Sequence, residues 1–241
     1  MKKRMKIPTL FLYFLGIFLV GFGIPLMIKA DLGITVVTSF PYALYEVFGL
    51  FSVGMWVTIY QCVILLLAVI ILKRFTVSML ASFITAYLLG LTIDLMTLAL
   101  QGLTFDSFVI KMLIVIAGSC LIGIGAGTLI FSAYPPVPDL VFIRDIAKAK
   151  NIGLTKMKVV FDSVFFVLTV SLTFFALGHI FGIGWGTLVS ISIIGFVVGQ
   201  TDKWLGLGVQ RLPLFTEEKE HRFLEFNLLS LLKNGHKKTT D

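Results

Sequence analysis

A polytopic all-α membrane fold is what this sequence predicts, and three observations predict it. Of its 241 residues, 58% are hydrophobic and 14% charged, 23 are phenylalanine, and the mean hydropathy is +1.00. A soluble domain of that length cannot cover its surface with so few polar groups. The apolar residues come in unbroken runs of about 20, the length a helix needs to cross a bilayer, and they lack the alternation of a barrel strand. The basic residues, finally, gather between alternate runs.

Six spans follow: Pro8–Lys29, Val53–Leu72, Ser78–Leu100, Val109–Phe131, Met157–Leu177 and Trp185–Trp204. The opening MKKRMKIPTLFLYFLGIFLV resembles a signal peptide. Its apolar run is too long for one and no small-x-small site follows, so it is expected to be an uncleaved first span. With the N-terminus in the cytoplasm, six crossings return the C-terminus there. All but two of the 20 basic residues, Lys29 and Lys111, then fall in cytoplasmic segments. That is the positive-inside bias, and it fixes the expected orientation as both termini cytoplasmic. It also explains the net charge of +7 without a nucleic-acid partner, because the cations are scattered over loops and form no stripe. Cys62 and Cys120 sit inside apolar runs, and no Cys/His spacing suits a metal, so no cofactor is expected.

The chain repeats itself. Its first half reads span, Gly21–Phe–Gly23, broken segment with Pro41, span with Gln61, span with Gly90. Its second half reads span, Gly123–Ile–Gly125, broken segment with Pro138, span with Asp162, span with Gly195. The expected division is residues 1–106, residues 107–206 and an amphipathic cytoplasmic tail over residues 207–241, with a helix capped by Thr216. Three crossings is an odd number, so the two repeats must enter the membrane from opposite sides. The expected architecture is a 3+3 inverted repeat with two short broken or re-entrant helices. Breaks at matching places of two such halves point to a binding site.

Proline chemistry shapes those breaks. In PPVPDLVFIRDIAKAK (Pro135–Lys150) the prolines end the fourth span, and Asp139 is placed to cap a new helix. In TVVTSFPYAL (Thr35–Leu44), Thr38 or Ser39 is the expected cap, with Pro41 near the first turn. Two dispositions stay open for these segments: re-entrant between the spans, or lying in the headgroups.

Acids within apolar runs are costly and usually functional. Asp94 lies one turn after Gly90, and Asp162 shares a helix face with Phe166, Thr169 and Thr173. Gln61 occupies the place matching Asp162. Lys158, four residues before Asp162, is an alternative partner for that carboxylate. The expected substrate contacts are Asp162, Gln61, Asp94, Ser39, Tyr42, Asp139 and Thr169. The glycines within spans, among them Gly21, Gly23, Gly123, Gly125 and the Gly195/Gly199 pair, are expected to bring helices close, above all the first and fourth spans.

Gly21–Gly33 (GFGIPLMIKADLG), SFPYAL, GLTID, PVPDL and Gly184–Gly195 resemble the YczE/YyaS/YitT group of bacterial membrane proteins over most of residues 16–206. The resemblance implies a multi-pass protein of the bacterial cytoplasmic membrane. The paired breaks lead to the expectation of a secondary transporter of a small solute, working by alternating access between the repeats. Two alternatives stay open: a substrate-binding membrane subunit of an energy-coupling-factor importer, and a membrane accessory or scaffold protein. A homodimer also stays open. No HExxH, GxSxG or nucleotide loop is present, so an enzyme is not expected.

Overall fold

The computed structural model describes residues 5–132 and 134–212. A short strand β1 (Met5–Pro8) leads into α1 (Thr9–Ala30). Then come α2 (Val36–Phe48), α3 (Val53–Leu72) and α4 (Val77–Ala99), followed by α5 (Phe108–Ser132), α6 (Pro138–Lys150), α7 (Leu154–Leu177) and α8 (Trp185–Gly208). Six of these, all but α2 and α6, are long and apolar enough to cross a membrane. They match the six expected spans to within a few residues. The two short helices, each 13 residues long, occupy the two proline-bearing segments. The last span runs further than expected, to Gly208, and strand β2 (Val209–Leu212) then pairs in parallel with β1. The helix expected from Thr216 lies outside the described residues.

Local chemistry explains most boundaries. Ser52 and Thr76 start α3 and α4 by accepting the amides of Met55 and Met79. The cap of α2 is Thr35, which accepts the Thr38 amide at 3.4 Å, and not Thr38 or Ser39 as expected. Thr35 is the last extended residue, whereas Thr38 and Ser39 are already helical. Asp139 is likewise not the cap of α6. Val137 holds that place, Pro138 takes the first helical position where no amide is missed, and Asp139 follows inside the first turn. Gly33 has φ 99°, and a Cβ there would meet the Gly184 amide at 2.5 Å, so only glycine fits. At this point Ile34 and Gly186 donate to Gly182 and Leu32, pairing the α1–α2 loop with the α7–α8 loop.

The centre is the crossing of α1 and α5, and glycine makes it close. A Cβ on Gly16 would lie 2.8 Å from the Gly125 carbonyl oxygen, and one on Gly118 would lie 2.9 Å from that of Gly23. These two contacts are reciprocal: Gly16 is to Gly118 as Gly23 is to Gly125, with the same spacing along the chain. A pair of like helices meeting at equivalent points has this pattern. Around the crossing, α4 packs on α1 and α8 packs on α5. Gly21 faces Thr92 of α4, and Gly123 faces Val197 of α8. The short helices exchange partners, α2 lying on α7 and α6 on α3.

One relation is not reciprocal. Helices α3 and α4 are packed along a seam where Gly54 and Gly90 touch, whereas α7 and α8 make no comparable contact. Gly195 and Gly199 accordingly have nothing within 4 Å, contrary to the expected small-residue packing. The cause is helix phase: Val197 and Thr201 face α5, so the glycines two residues to either side point away from it. The flanks are apolar, with Phe175 86% and Phe196 67% exposed, which suits helix faces that meet lipid in place of water.

Candidate functional site

The candidate site forms where α6 meets α3 and α7. Three prolines in four residues free α6 from α5, so its first-turn amides need partners from elsewhere. Gln61 of α3, 4% exposed, supplies one: its Oε1 accepts the Asp139 amide at 3.0 Å. The Asp139 carboxylate supplies another, accepting the Leu140 amide at 2.8 Å. Beside Gln61 stands Tyr60, 5% exposed, whose hydroxyl has no hydrogen-bond partner among the described residues. That hydroxyl lies in the electrostatic field of both Asp139 and Asp162. Asp162 enters from α7, paired with Lys158 one turn earlier on the same helix. Burial raises the proton affinity of the Asp139 carboxyl above the ordinary range. Lys158, the Leu140 amide and Gln61 oppose the rise, and Asp162 adds to it.

A second polar group lies where α2 meets α7. Ser39, fully buried, donates to the Val36 carbonyl at 2.6 Å and lies 3.1 Å from the Thr169 hydroxyl. Tyr42 joins it across Gly182 and packs on Phe181 at 4.9 Å between ring centroids. Burial, then Glu46, Asp31 and Tyr45, push the Tyr42 hydroxyl well above its usual pKa. Both groups are mounted on one face of α7, with Asp162 in one and Thr169 in the other. Between them Phe165 packs on Phe40, Tyr60 and Phe161, and Phe161 packs on Phe142. Two polar groups are thus separated by an aromatic plug, in the core shared by α2, α3, α6 and α7.

Of the seven expected residues, Gln61, Asp139 and Asp162 come together around Tyr60, and Ser39, Tyr42 and Thr169 form the second group. Asp94 belongs to neither. Its carboxylate accepts the Ser52 hydroxyl at 2.5 Å and the Gly54 amide at 2.8 Å, capping α3 from α4. Sequence reasoning missed two residues. Tyr60 was legible only as the neighbour of Gln61. Asp145, 7% exposed, binds Arg144 at 2.9 Å and Arg74 at 3.4 Å, tying α6 to the α3–α4 turn. Its signal was being the second acid in a short, otherwise cationic segment. No cluster suited to a metal exists among the described residues.

The chain belongs to DUF6198, a family of unknown function. The family model matches residues 7–203, which span both short helices, both polar groups and the α1–α5 crossing. No curated protein and no solved structure matches the chain. The likeness that defines this family therefore covers the whole bundle.

Asp162 offers a direct test of the first polar group. If its ion pair with Lys158 only stabilises α7, Asp162→Asn lowers the melting temperature slightly, since exposed i,i+4 pairs are worth roughly 0.3–0.5 kcal/mol, and Lys158→Met restores it. The position near Tyr60, Gln61 and Asp139 predicts a loss of ligand response beyond that small change in stability. Asp162→Asn should keep its melting temperature within about 2 °C of the parent yet lose any ligand-induced rise in a thermal-shift screen against small metabolites. A parental ligand response in Asp162→Asn would remove it from the site.

Proposed function

We propose that this protein is a secondary transporter of a small polar solute, working by alternating access between two inverted repeats. The observation that carries the reading is the unequal closure of equivalent helix pairs. At one end of the bundle α3 and α4 are shut by the Gly54–Gly90 contact and the Asp94 cap. The equivalent pair α7 and α8 stands apart, with the glycines of α8 uncovered. By the charge pattern the first pair closes toward the outside and the second opens toward the cytoplasm. Two repeats of one architecture in opposite states are what an alternating-access protein holds at any moment, and exchanging those states is the transport step.

The two polar groups fit such a step. Gln61, Asp139, Asp162 and Tyr60 offer hydrogen-bonding and charged groups on the cytoplasmic side of the plug. Ser39, Tyr42 and Thr169 offer hydroxyls on the outer side. A solute passing along α7 would meet both, with Phe165 and Phe161 as the barrier. In this reading Asp94 serves as a latch and makes no substrate contact. The YczE/YyaS/YitT resemblance supports a setting in the bacterial cytoplasmic membrane, and the charge pattern supports cytoplasmic termini. Assembly as a homodimer is compatible with it.

Reconstitution without partners tests the reading. Proteoliposomes containing only this chain should accumulate at least one member of a panel of labelled amino acids, amines and sugars under an imposed ion gradient. An ATPase that co-purifies stoichiometrically, together with no uptake by the chain alone, would favour the importer-subunit alternative and refute this one.

A further inference from the structure

We infer that the Asp139 carboxyl, seated at the start of α6 beside Gln61, is a proton-binding site. The proton would be the coupling ion of the transport reading, on which this second clause rests. Geometry comes first. One carboxylate oxygen accepts the Leu140 amide, and Gln61, which accepts the Asp139 amide, stands beside the carboxyl. Among the described residues no cation forms an ion pair with Asp139. Lys158, whose charge acts on Asp139, is held by Asp162. An ionised Asp139 would be a half-buried negative charge with no ion-pair partner among the described residues, which is costly. A neutral carboxylic acid removes that cost and gains a donor.

The neighbours of α6 leave this as the economical assignment. From α3 come Tyr60 and Gln61, and from α7 come Lys158 and Asp162. Helix α4 brings Tyr87, which is exposed, and Asp94, which is bound at the start of α3. Within α6, Asp145 is neutralised by Arg74 and Arg144. Tyr60 is the piece the fold does not otherwise explain. Its buried hydroxyl lacks a partner and lies in the field of the Asp139 carboxyl.

Position gives the site its use. The Asp139–Gln61 contact joins α6 of one repeat to α3 of the other, and exchange of states between the repeats must remake it. Moving α6 off α3 admits water to the carboxyl, and its acidity returns toward the ordinary range. The O–H bond then breaks, the proton passes to water on the open side and the carboxylate keeps the electron pair. No other bond changes.

Linkage fixes the sign of the stability effect. A carboxyl whose proton affinity is raised by folding contributes full stability below its unfolded pKa, and that contribution is lost as pH rises through the folded value. The purified full chain in lipid should therefore melt at progressively lower temperature as pH rises above the ordinary carboxyl range. Asp139→Asn should flatten that slope and melt higher than the parent at alkaline pH. A purely structural cap predicts instead a lower melting temperature for Asp139→Asn at every pH, which would overturn the assignment.

Infrared spectroscopy of proteoliposomes provides the deciding measurement. The parent should show a protonated-carboxyl stretch that persists above the pH at which an ordinary aspartate ionises and disappears on further alkaline titration. The band should be absent in Asp139→Asn and present in Asp162→Asn. Should Asp139→Asn fail to fold, Asp139→Glu takes its place, and the band must shift in frequency. No such band in the parent, or a band unchanged by either Asp139 variant, overturns the inference. A titrating Asp139 band in vesicles that move no solute under any gradient leaves the proton site standing and removes the transport reading. Uptake indifferent to a pH gradient removes the coupling role alone.

Discussion

Replacing Gly125 by leucine should prevent the bundle from assembling. Gly125 faces α1 so closely that a Cβ would lie 2.8 Å from the Gly16 carbonyl oxygen and 2.9 Å from the Val20 amide nitrogen. Both neighbours are backbone, so neither can rotate away, and the helices themselves must part. Overpacking a core by a few methylenes costs roughly 1–3 kcal/mol even where side chains can adjust. Here they cannot, and a loss of at least about 3 kcal/mol is expected. The variant should lose its monodisperse peak in detergent, or melt at a much lower temperature. Gly23→Leu should behave alike, because the crossing is reciprocal. Gly195→Leu is the control: nothing lies within 4 Å of that glycine, so stability should stay within about 0.5 kcal/mol of the parent.

Asp94→Ala should release the closed end of α3 and α4. The carboxylate takes hydrogen bonds from the Ser52 hydroxyl and the Gly54 amide, joining the last turns of α4 to the first turn of α3. Hydrogen bonds to a charged group are worth about 1.5–3 kcal/mol each when shielded. This site is only part-buried, so about 2 kcal/mol in total is expected. Much of that loss should appear as movement of the α3–α4 pair, because the energy held the pair together and not the core. Ser52→Ala, which removes one donor, should give about half the effect. A fall in melting temperature with no change in the α3–α4 separation would make Asp94 a simple helix cap.

The spans were legible in the sequence because lipid permits little else: each backbone must satisfy itself in a helix, and the length is set by the bilayer. The two short helices were legible because prolines cannot continue a span. Their caps were read two to four residues out of place, since Thr35, Thr38 and Ser39 are all competent caps and only the backbone of Thr35 is extended. The cluster of Gln61, Asp139 and Asp162 was seen as separate residues. Its focus, Tyr60, was not, because one tyrosine in an apolar run carries no sign that its hydroxyl will be left without a partner. Asp94 was read as a contact for substrate, and its carboxylate is hydrogen-bonded to Ser52 and Gly54 at the start of α3, apart from the other expected residues. Nothing in sequence spacing distinguishes an acid that faces a cavity from one that faces a helix N-terminus. The open α7–α8 seam was equally hidden, because the glycines of α4 and α8 look alike and only the first pair meets a partner.

That seam is where the account is most exposed, and a distance measurement tests it. Spin labels at Met55 and Leu95 report the α3–α4 pair, and labels at Val159 and Trp204 report the α7–α8 pair; all four side chains are exposed. Pulsed electron resonance in lipid nanodiscs should find two populations for each pair. Asp94→Ala should lengthen the α3–α4 distance and shorten the α7–α8 distance together. A single unchanging distance in both pairs, or two pairs that open and close in unison, would contradict alternating access between the repeats.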